Sequence, residues 1–525
     1  MQFLTVDQMR AADQAAISEC SIPEQVLMNR AGVALARFVE RVARLRGIHR
    51  IILVAGHGNN GGDICVAARC LHNDGFNVHV IMTCIPSTLK GAAHSAWDDM
   101  QNNGIPFEVA ASEESWKESF QIRSGSLLNY GIVVDGVLGT GCSGAPHGVA
   151  AEAIRWINSI RSYSLVVAAD LPSGMNGDTG EAEGDVVKAD VTVTFAAPKQ
   201  GFCNKSAMPL LGHLMVSDIG IPDEIAFKHV AQSKYQLISR PELARSYHER
   251  SWTSNKGIFG HVCVIGGIDT YPNAPVLSAS GALRSGAGLV TLRSCCAASG
   301  CALSLIPEVI VNSLSLDDFF LADDEQRAKI CLLGSYNVIV AGPGLGRSEG
   351  ATALVRYLIE NFKGSLVLNA DALNVLAEIC SDGYKVRDDC SLVITPHPGE
   401  AARLLRCEVK EVQDDRIAAV KSLAQQYNAI AVLKGSGTLV SDGESLPWLN
   451  LTGNPGMATA GTGDVLAGII GGLLAQGLES ILAASMGVWV HGTAGDLAWM
   501  KGSQTTLTAG DVVAMLPLVY QNVER

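Results

Sequence analysis

Two stretches near the start, VDQMRAADQAAI and QVLMNRAGVALARFVERVARL, repeat apolar residues at three- and four-residue intervals, the spacing of amphipathic helices. The pattern then changes. Short continuous apolar runs follow in RIILVAG, NVHVIMT, GIVVDGVLG, SLVVAADLPSG and DVTVTFAAPK, with helical stretches between most of them. Continuous rather than alternating apolar residues predict strands buried on both faces, and their alternation with helices predicts a parallel sheet in an α/β layer. A second series opens at GHVCVIGG and runs through GLVTLRS, NVIVAGPGLG, SLVLNADAL, SLVITPHPGE and AIAVLKGSGTLVSDG, repeating the architecture without repeating the sequence. Between them, DEIAFKHVAQSKYQLISRPELARSY has no strong strand run and mixes polar residues with a proline. The reading is two α/β domains, 1–225 and 241–525, joined by a linker over 226–240.

Composition narrows the partners. The 525 residues are 48% hydrophobic, enough for two cores. Lys and Arg total 39 against 52 Asp and Glu, a net charge of −13, which argues against a nucleic-acid surface or a polybasic membrane anchor. Phosphates would have to be held by backbone amides. The 14 cysteines show no CxxC spacing, so neither a zinc site nor a disulfide framework is indicated. The opening MQFLTVDQMRAADQAAI carries acids where a signal peptide needs a basic start, and no uncharged apolar run reaches the ~18–20 residues of a membrane span. The expectation is a reduced, cytoplasmic protein with neither nucleic acid nor membrane as partner.

In the first half, VAGHGNNGGDICVAARCL follows a strand and leads into a helix, the setting of an anion-binding glycine turn. GxGxxG is matched only as Gly56, Gly58 and Gly61, and such turns can equally be structural. Asn59, Asn60 and Asp63 add polar chemistry. VVDGVLGTGCSGAP sets Asp135 at a strand end, and VVAADLPSGMNGDTG sets Asp170 and Ser173 at another. Oxygens from Asn60, Asp135 and Ser173 suit a hard cation, leaving Asp170 for proton transfer. The alternative is that both acids cap turns.

In the second half, VLKGSGTLVSDG supplies a cation and a glycine turn suited to nucleotide phosphates. GPGLG at 342–346 is another close-approach loop, and NADALNVL and TPHPGEAARLL bring Asp371, Asn374, His397 and Glu400 to strand ends. His397 can equally be a structural hydrogen-bonding residue. In NPGMATAGTGDVLAG, 454–468, a glycine turn opens into an apolar helix whose first amides make an anion hole. A carboxylate there is repelled by phosphate unless it meets magnesium or serves as a base, so Asp464 is a base candidate, with a helix cap as the alternative.

These strings carry two resemblances. The first half resembles the NAD(P)H-hydrate epimerase family, whose GxGNNGGDG, DxxxGTG and D[LIV]PSG motifs appear in order. The resemblance implies a Rossmann-like three-layer αβα domain. It also implies that Asn59, Asn60, Gly61, Gly62, Asp63 and Asp170 contact the hydrated nucleotide, together with Gly139, Thr140, Gly141, Cys142, Ser143, Gly144 and Ala145. Asn60, Asp135 and Ser173 would bind potassium. His57 stands where the family has proline and Ile64 where it has glycine, and Ile64 would narrow the approach to a phosphate. Residues 240–522 resemble the ADP- or ATP-dependent NAD(P)H-hydrate dehydratase family, a ribokinase-like αβα branch, through HPGE, KGSGT and NPGMATAGTGD. That implies hydrate binding by Ala274, Gly344, His397 and Asp464. It implies nucleotide binding by Lys434, Gly435, Ser436, Gly437, Thr438 and Gly463, with magnesium accompanying the nucleotide. Asn273 in YPNAP stands where glycine is usual.

Together the resemblances imply a bifunctional repair enzyme acting on NADHX and NADPHX, expected as a homo-oligomer. One half would epimerise the R and S hydrates through Asp170. The other would dehydrate the S form through Asp464 at the expense of ADP, giving AMP and phosphate, with ATP as the other candidate nucleotide. The competing reading is a small-molecule kinase fused to a non-catalytic binding module.

Overall fold

The continuous apolar runs become parallel strands. A computed structural model of the chain describes residues 1–116, 131–141, 144–228, 234–239, 250–267, 271–294, 296–381 and 391–523. Two units, Met1–Ser233 and Lys234–Arg525, each carry one main sheet. In the first, β1 (Arg50–Ala55), β2 (Asn77–Met82), β3 (Phe107–Val109), β4 (Gly131–Gly136), β5 (Ser164–Ala169), β6 (Val191–Phe195) and β7 (His213–Ser217) are ordered β3-β2-β1-β4-β5-β6-β7. Every neighbouring pair is parallel. All residues of β4 and β5 are buried, which requires cover on both faces and accounts for their unbroken apolar runs. The chain builds outward from β1 on one side and from β4 on the other. The crevice at the carboxyl ends of β1 and β4 is therefore the switch point of a doubly wound sheet, where ligands bind.

A helix that belongs to neither series closes this end of the sheet. Val6–Ser18 starts with a capping box: Gln8 N donates to Thr5 Oγ1 at 3.1 Å and Thr5 N to Gln8 Oε1 at 2.9 Å. Just before it, Leu4 N donates to Pro198 O at 3.0 Å and Gln200 N to Leu4 O at 2.8 Å, so the helix begins beside Lys199, past the end of β6. Arg10 on the same helix donates to Thr140 O at 3.0 Å, beyond the end of β4.

The second sheet comprises β8 (Gln236–Leu237), β9 (His261–Ile265), β10 (Leu289–Ser294), β11 (Ile310–Ser313), β12 (Val338–Ala341), β13 (Ser365–Leu368), β14 (Ser391–Ile394), β15 (Ile430–Leu433), β16 (Thr438–Ser441) and β17 (Trp448–Asn450). Their order is β11-β10-β9-β12-β13-β14-β15-β16-β17-β8, which puts the switch point between β9 and β12. Pairing is antiparallel only at β15-β16 and β16-β17. β8 lies within the stretch expected as a linker: Gln236 N donates to Pro447 O and Ile238 N to Leu449 O, both at 3.0 Å, making it an edge strand of the second unit. Two residues are too few to show a period. Helices Ala274–Arg284 and Thr462–Ala475 pack almost backbone to backbone, since a Cβ at Gly468 would lie 1.9 Å from Ser278 O. Ser278 Oγ also donates to Asp464 O at 2.8 Å, fixing the start of the second of these helices.

Candidate active sites

In the first unit, the expected residues gather at the switch point. β1 ends in the turn at Gly56, whose N donates to Gly136 O at 2.9 Å, and the chain re-enters a helix at Asn59–Asn73. Asn59, Asn60 and Asp63 from this helix, Gly139, Thr140 and Gly141 from the loop after β4, and Asp170 after β5 all line one cavity of about 640 Å³. Gly61 and Gly62 serve packing: a Cβ at Gly61 would lie 2.1 Å from Gly56 O, and one at Gly62 2.6 Å from Met28 Sδ. Ala145 packs toward Gly184, and neither it nor Gly144 lines the cavity. Cys142 and Ser143 lie outside the described residues. Ile64 corrects an expectation. It is fully buried against the Gly136 backbone and narrows no approach to the cavity, because its position on the helix turns it into the core.

Asp170 has a positive φ of 65°, a backbone conformation that a non-glycine residue adopts at a cost. Its Oδ1 accepts from Lys199 Nζ, from Thr194 Oγ1 at 3.1 Å and from Phe195 N at 3.3 Å. Lys199, only 1% exposed, also donates to Thr194 Oγ1 at 2.9 Å. Sequence reasoning passed over this lysine. Its signal was a cation closing a buried apolar strand, in VTFAAPK. It also passed over Asp13, which lines the same cavity from the first helix. Burial, with Asp170 and Glu24 nearby, pushes the Asp13 carboxyl up to about 6 against the pull of Lys199. Burial pushes Asp63 well above the usual carboxylate range, reinforced by Asp170 and Asp13.

Beneath the cavity, Asn60, Asp135 and Ser173 converge on Leu138. Asn60 Nδ2 donates to Leu138 O at 3.0 Å, and Ser173 Oγ accepts from Leu138 N at 2.8 Å. Asp135 accepts from Ser173 N at 2.8 Å, from Ser173 Oγ at 2.6 Å and from Val137 N at 3.2 Å. Burial pushes Asp135 up to about 6 despite these bonds. Among the described residues, Asn60 Oδ1 is buried with no hydrogen-bond partner. An amide oxygen, a buried carboxylate and a hydroxyl are oxygen types that hard cations take.

In the second unit, Asp464 is the third residue of helix Thr462–Ala475, whose N-cap is Gly461 with φ 88°. The cap position is thus taken by a glycine. Asp464 Oδ1 accepts instead from Asn369 Nδ2 at 2.8 Å, after the end of β13, and Asn369 Oδ1 accepts from Lys434 Nζ at 3.1 Å, after the end of β15. Burial pushes the Asp464 carboxyl up to about 6, with Lys434 and Asn369 pulling it down. A Cβ at Gly463 would lie 3.2 Å from Lys434 Nζ, so the KGSGT and GTGD turns meet at this lysine. Gly435, Ser436 and Gly437 lie in the β15-β16 connection, and Thr438 opens β16. Arg416 grips it from behind, donating to Leu433 O, Lys434 O and Gly437 O at 3.1–3.3 Å.

His397 caps helix Pro398–Leu405, its Nδ1 accepting from Gly399 N at 3.0 Å and Glu400 N at 3.3 Å, with Nε2 3.4 Å from Glu400 Oε1. This geometry has the structural role open to a lone histidine, while Glu400 Oε2 reaches within 3.7 Å of Lys434 Nζ. Asp371 accepts from Gly346 N at 3.0 Å, bracing the GPGLG loop, and Asn374 accepts from Arg403 at 2.7 Å. Gly344, φ 61°, lies against Tyr271 O, and that carbonyl accepts from Ala274 N at 3.3 Å, so the two expected hydrate contacts are neighbours. Asp496, buried on helix Ser480–Lys501, accepts from Gly453 N at 2.8 Å and Asn454 Nδ2 at 3.0 Å. It holds the start of the Asp464 loop and was not singled out from the sequence.

The halves match two family models. Residues 24–201 match the YjeF-related protein N-terminus and residues 262–517 the NAD(P)H-hydrate dehydratase. A Moorella thermoacetica protein named bifunctional NAD(P)H-hydrate repair enzyme Nnr is 37% identical over 527 residues, covering 100% of this chain and 97% of its own. A Coxiella burnetii protein of the same name is 37% identical over 505 residues, covering 96% of each. Among solved structures, the ADP/ATP-dependent NAD(P)H-hydrate dehydratase of Bacillus subtilis, co-crystallised with ATP and Mg²⁺, is 28% identical with a TM-score of 0.49, over 56% of this chain and all of its own.

Proposed function

The chain belongs to the family of bifunctional NAD(P)H-hydrate repair enzymes, and from that premise we propose a division of labour between its two sites. The first unit interconverts the R and S hydrates of NADH and NADPH, with Asp170 as proton-transfer group. The second dehydrates the S hydrate at the expense of ADP, giving AMP and phosphate, with Asp464 as base. The observation that carries this reading is that the carboxyl end of each sheet pairs a glycine turn with a partly buried carboxylate and a lysine one or two contacts away: Asp170 with Lys199, and Asp464 with Lys434 through Asn369. Glycine amides hold anions without a charged side chain, and the carboxylate supplies acid–base chemistry.

Hydroxide is a poor leaving group. Phosphorylation of the ring hydroxyl, with Asp464 taking its proton, converts it to a phosphate ester; loss of phosphate from that carbon and of a proton from the neighbouring ring carbon to solvent then restores the ring double bond. Magnesium, when bound with the nucleotide, neutralises the charge that develops on the transferred phosphoryl group. Lys434 and the amides of Gly435, Gly437 and Gly463 hold the nucleotide phosphates. In the first unit, Asn60, Asp135 and Ser173 would hold potassium, a fit supported by the unpartnered Asn60 Oδ1. The ion would steady the Leu138 loop that lines the cavity.

The test uses purified protein and a mixed-epimer hydrate. Without nucleotide the epimer ratio should relax to equilibrium, and with ADP both epimers should be consumed, yielding reduced dinucleotide. Consumption that stops when one epimer is exhausted would remove the epimerase. A stable phosphorylated product would favour a small-molecule kinase.

A further inference from the structure

We infer that Asp13 is the second proton-transfer group of the first unit's reaction, working with Asp170 across the substrate; the inference rests on the epimerase reading. One route that inverts a hydroxyl-bearing ring carbon bonded to nitrogen removes water from one face and returns it to the other. The group on one face must give a proton while the group on the other takes one, and the roles exchange for the reverse reaction. A single carboxylate serves one face only.

Four carboxyls line the cavity, Asp13, Glu24, Asp63 and Asp170, of which Asp13 and Asp170 differ in setting. Asp170 reaches it from the end of β5 and is half of an ion pair with Lys199. Asp13 reaches it from helix Val6–Ser18, a separate element. That helix is held at both of the site's walls, through the Leu4 bonds that flank Lys199 and through Arg10 to Thr140 O. Among the described residues, no hydrogen bond ties the Asp13 carboxyl to the protein, so it remains available to a ligand. The charged groups that face it are Lys199, Asp170 and Glu24, with the buried Asp63 carboxyl nearby. Two of the three are acids, which together with burial favours its protonated form. Paired carboxyls whose surroundings set one as acid and the other as base are a recurring device for such chemistry.

The step balances as follows. The ring-nitrogen lone pair forms a C=N bond as the C–O bond breaks, and the oxygen takes the Asp13 proton and leaves as water. Water then adds to the opposite face of the carbon, the C=N electron pair returns to nitrogen, and Asp170 takes the water's proton. Nothing is oxidised or reduced. One proton has moved from Asp13 to Asp170, and exchange with solvent restores the starting state.

The experiment follows epimer exchange chromatographically on the full chain without nucleotide, in wild type, Asp13→Asn and Asp13→Ala, with ADP-dependent dehydration of purified S hydrate as the internal standard. Wild type inactive in exchange would sink the epimerase reading itself, and this proposal with it. With wild type active, Asp13→Asn should lose ~10²–10⁴-fold in kcat at a KM within about threefold. Formic acid/formate buffer should partly restore Asp13→Ala, which a merely structural role would not allow. In wild type, exchange should incorporate ¹⁸O from labelled water and decline as pH rises past the Asp13 ionisation. Asp13→Asn within tenfold of wild type, or exchange without ¹⁸O incorporation, would overturn the assignment.

Discussion

Replacing Asp464 by Asn separates catalysis from architecture, because the structure predicts opposite signs for activity and stability. Asn keeps an oxygen that accepts from Asn369 Nδ2, the 2.8 Å bond that ties the Thr462 helix to the end of β13. The helix loses no cap, since Gly461 occupies that position. What disappears is a carboxyl whose folded value of about 6 stands above its ordinary 3.8, chiefly through burial. A raised carboxyl value means that the folded state binds its proton more tightly than the unfolded state does. Its ionisation therefore weakens the fold progressively between pH ~4 and ~6, and by a constant amount above that, on the order of 3 kcal/mol at most. Asp464→Asn should thus match or exceed wild-type stability at pH 7 to 8 and lose that advantage at pH 4. Dehydration should fall ~10²–10⁴-fold, about 3–5 kcal/mol of transition-state stabilisation, mainly in kcat, with ADP affinity little changed. The assays are recovery of reduced-dinucleotide absorbance from the S hydrate, calorimetric ADP binding, and urea unfolding at the two pH values. A variant that dehydrates at near wild-type rate would refute the base. One that is inactive and also less stable than wild type at pH 7 would refute the electrostatic account.

Three further outcomes follow from the same geometry. Asp170→Ala should reduce epimer exchange ~10²–10⁴-fold while leaving dehydration of S hydrate intact, and a loss below tenfold would count against proton transfer. Exchange should run faster in potassium than in sodium or lithium, and potassium should raise the unfolding midpoint of the first unit, because a cation satisfies Asn60 Oδ1 only in the folded state; equal rates and midpoints would remove the selective site. Asp496→Ala strips the partner from Gly453 N and Asn454 Nδ2, at ~1–3 kcal/mol per unsatisfied donor. It should raise the KM for nucleotide at least several-fold while Asp496→Asn partly preserves it, and unchanged KM in both would show that the loop needs no such brace.

How much of this was legible varies with burial. The central strands announced themselves, because strands covered on both faces must be apolar throughout: RIILVA and SLVVAA are the ranges of β1 and β5. The edges did not. β3 and β11 are half-exposed or more, and β8 has two residues, so none makes a continuous apolar run. The glycine turns and their acids were visible because their composition is unusual at the end of an apolar run. Residues that act from a distance were not. Lys199, Asp13, Arg416 and Asp496 lie on strands' far ends or on helices whose local pattern is ordinary, and only the packing of one element against another brings them to the sites. Ile64 shows the converse error: its place in a phosphate-loop motif suggested that it narrows the approach to a phosphate, but its position along the helix buries it against Gly136.

The two carboxylates sit in different electrostatic settings, and the proposed chemistry follows that difference. Asp170 meets a lysine directly, on a residue strained to positive φ, and Lys199 is itself buried with Thr194 as a further partner. A buried lysine left without its acid would be an uncompensated charge, so the pair holds itself together before any substrate arrives. Asp464 meets its lysine only through the amide of Asn369, which accepts from Lys434 on one side and donates to the carboxylate on the other. Lys434 Nζ also lies 3.7 Å from Glu400 Oε2, and its charge draws the Asp464 carboxyl down from the value burial alone would set. At Asp170 the lysine meets the acid directly; at Asp464 the lysine is shared between Asn369 and Glu400, and the proposed role adds a nucleotide phosphate to these partners. A direct Lys–Asp pair suits a site that moves protons on a ring, and an amide-bridged one suits a site that must also admit a polyanion.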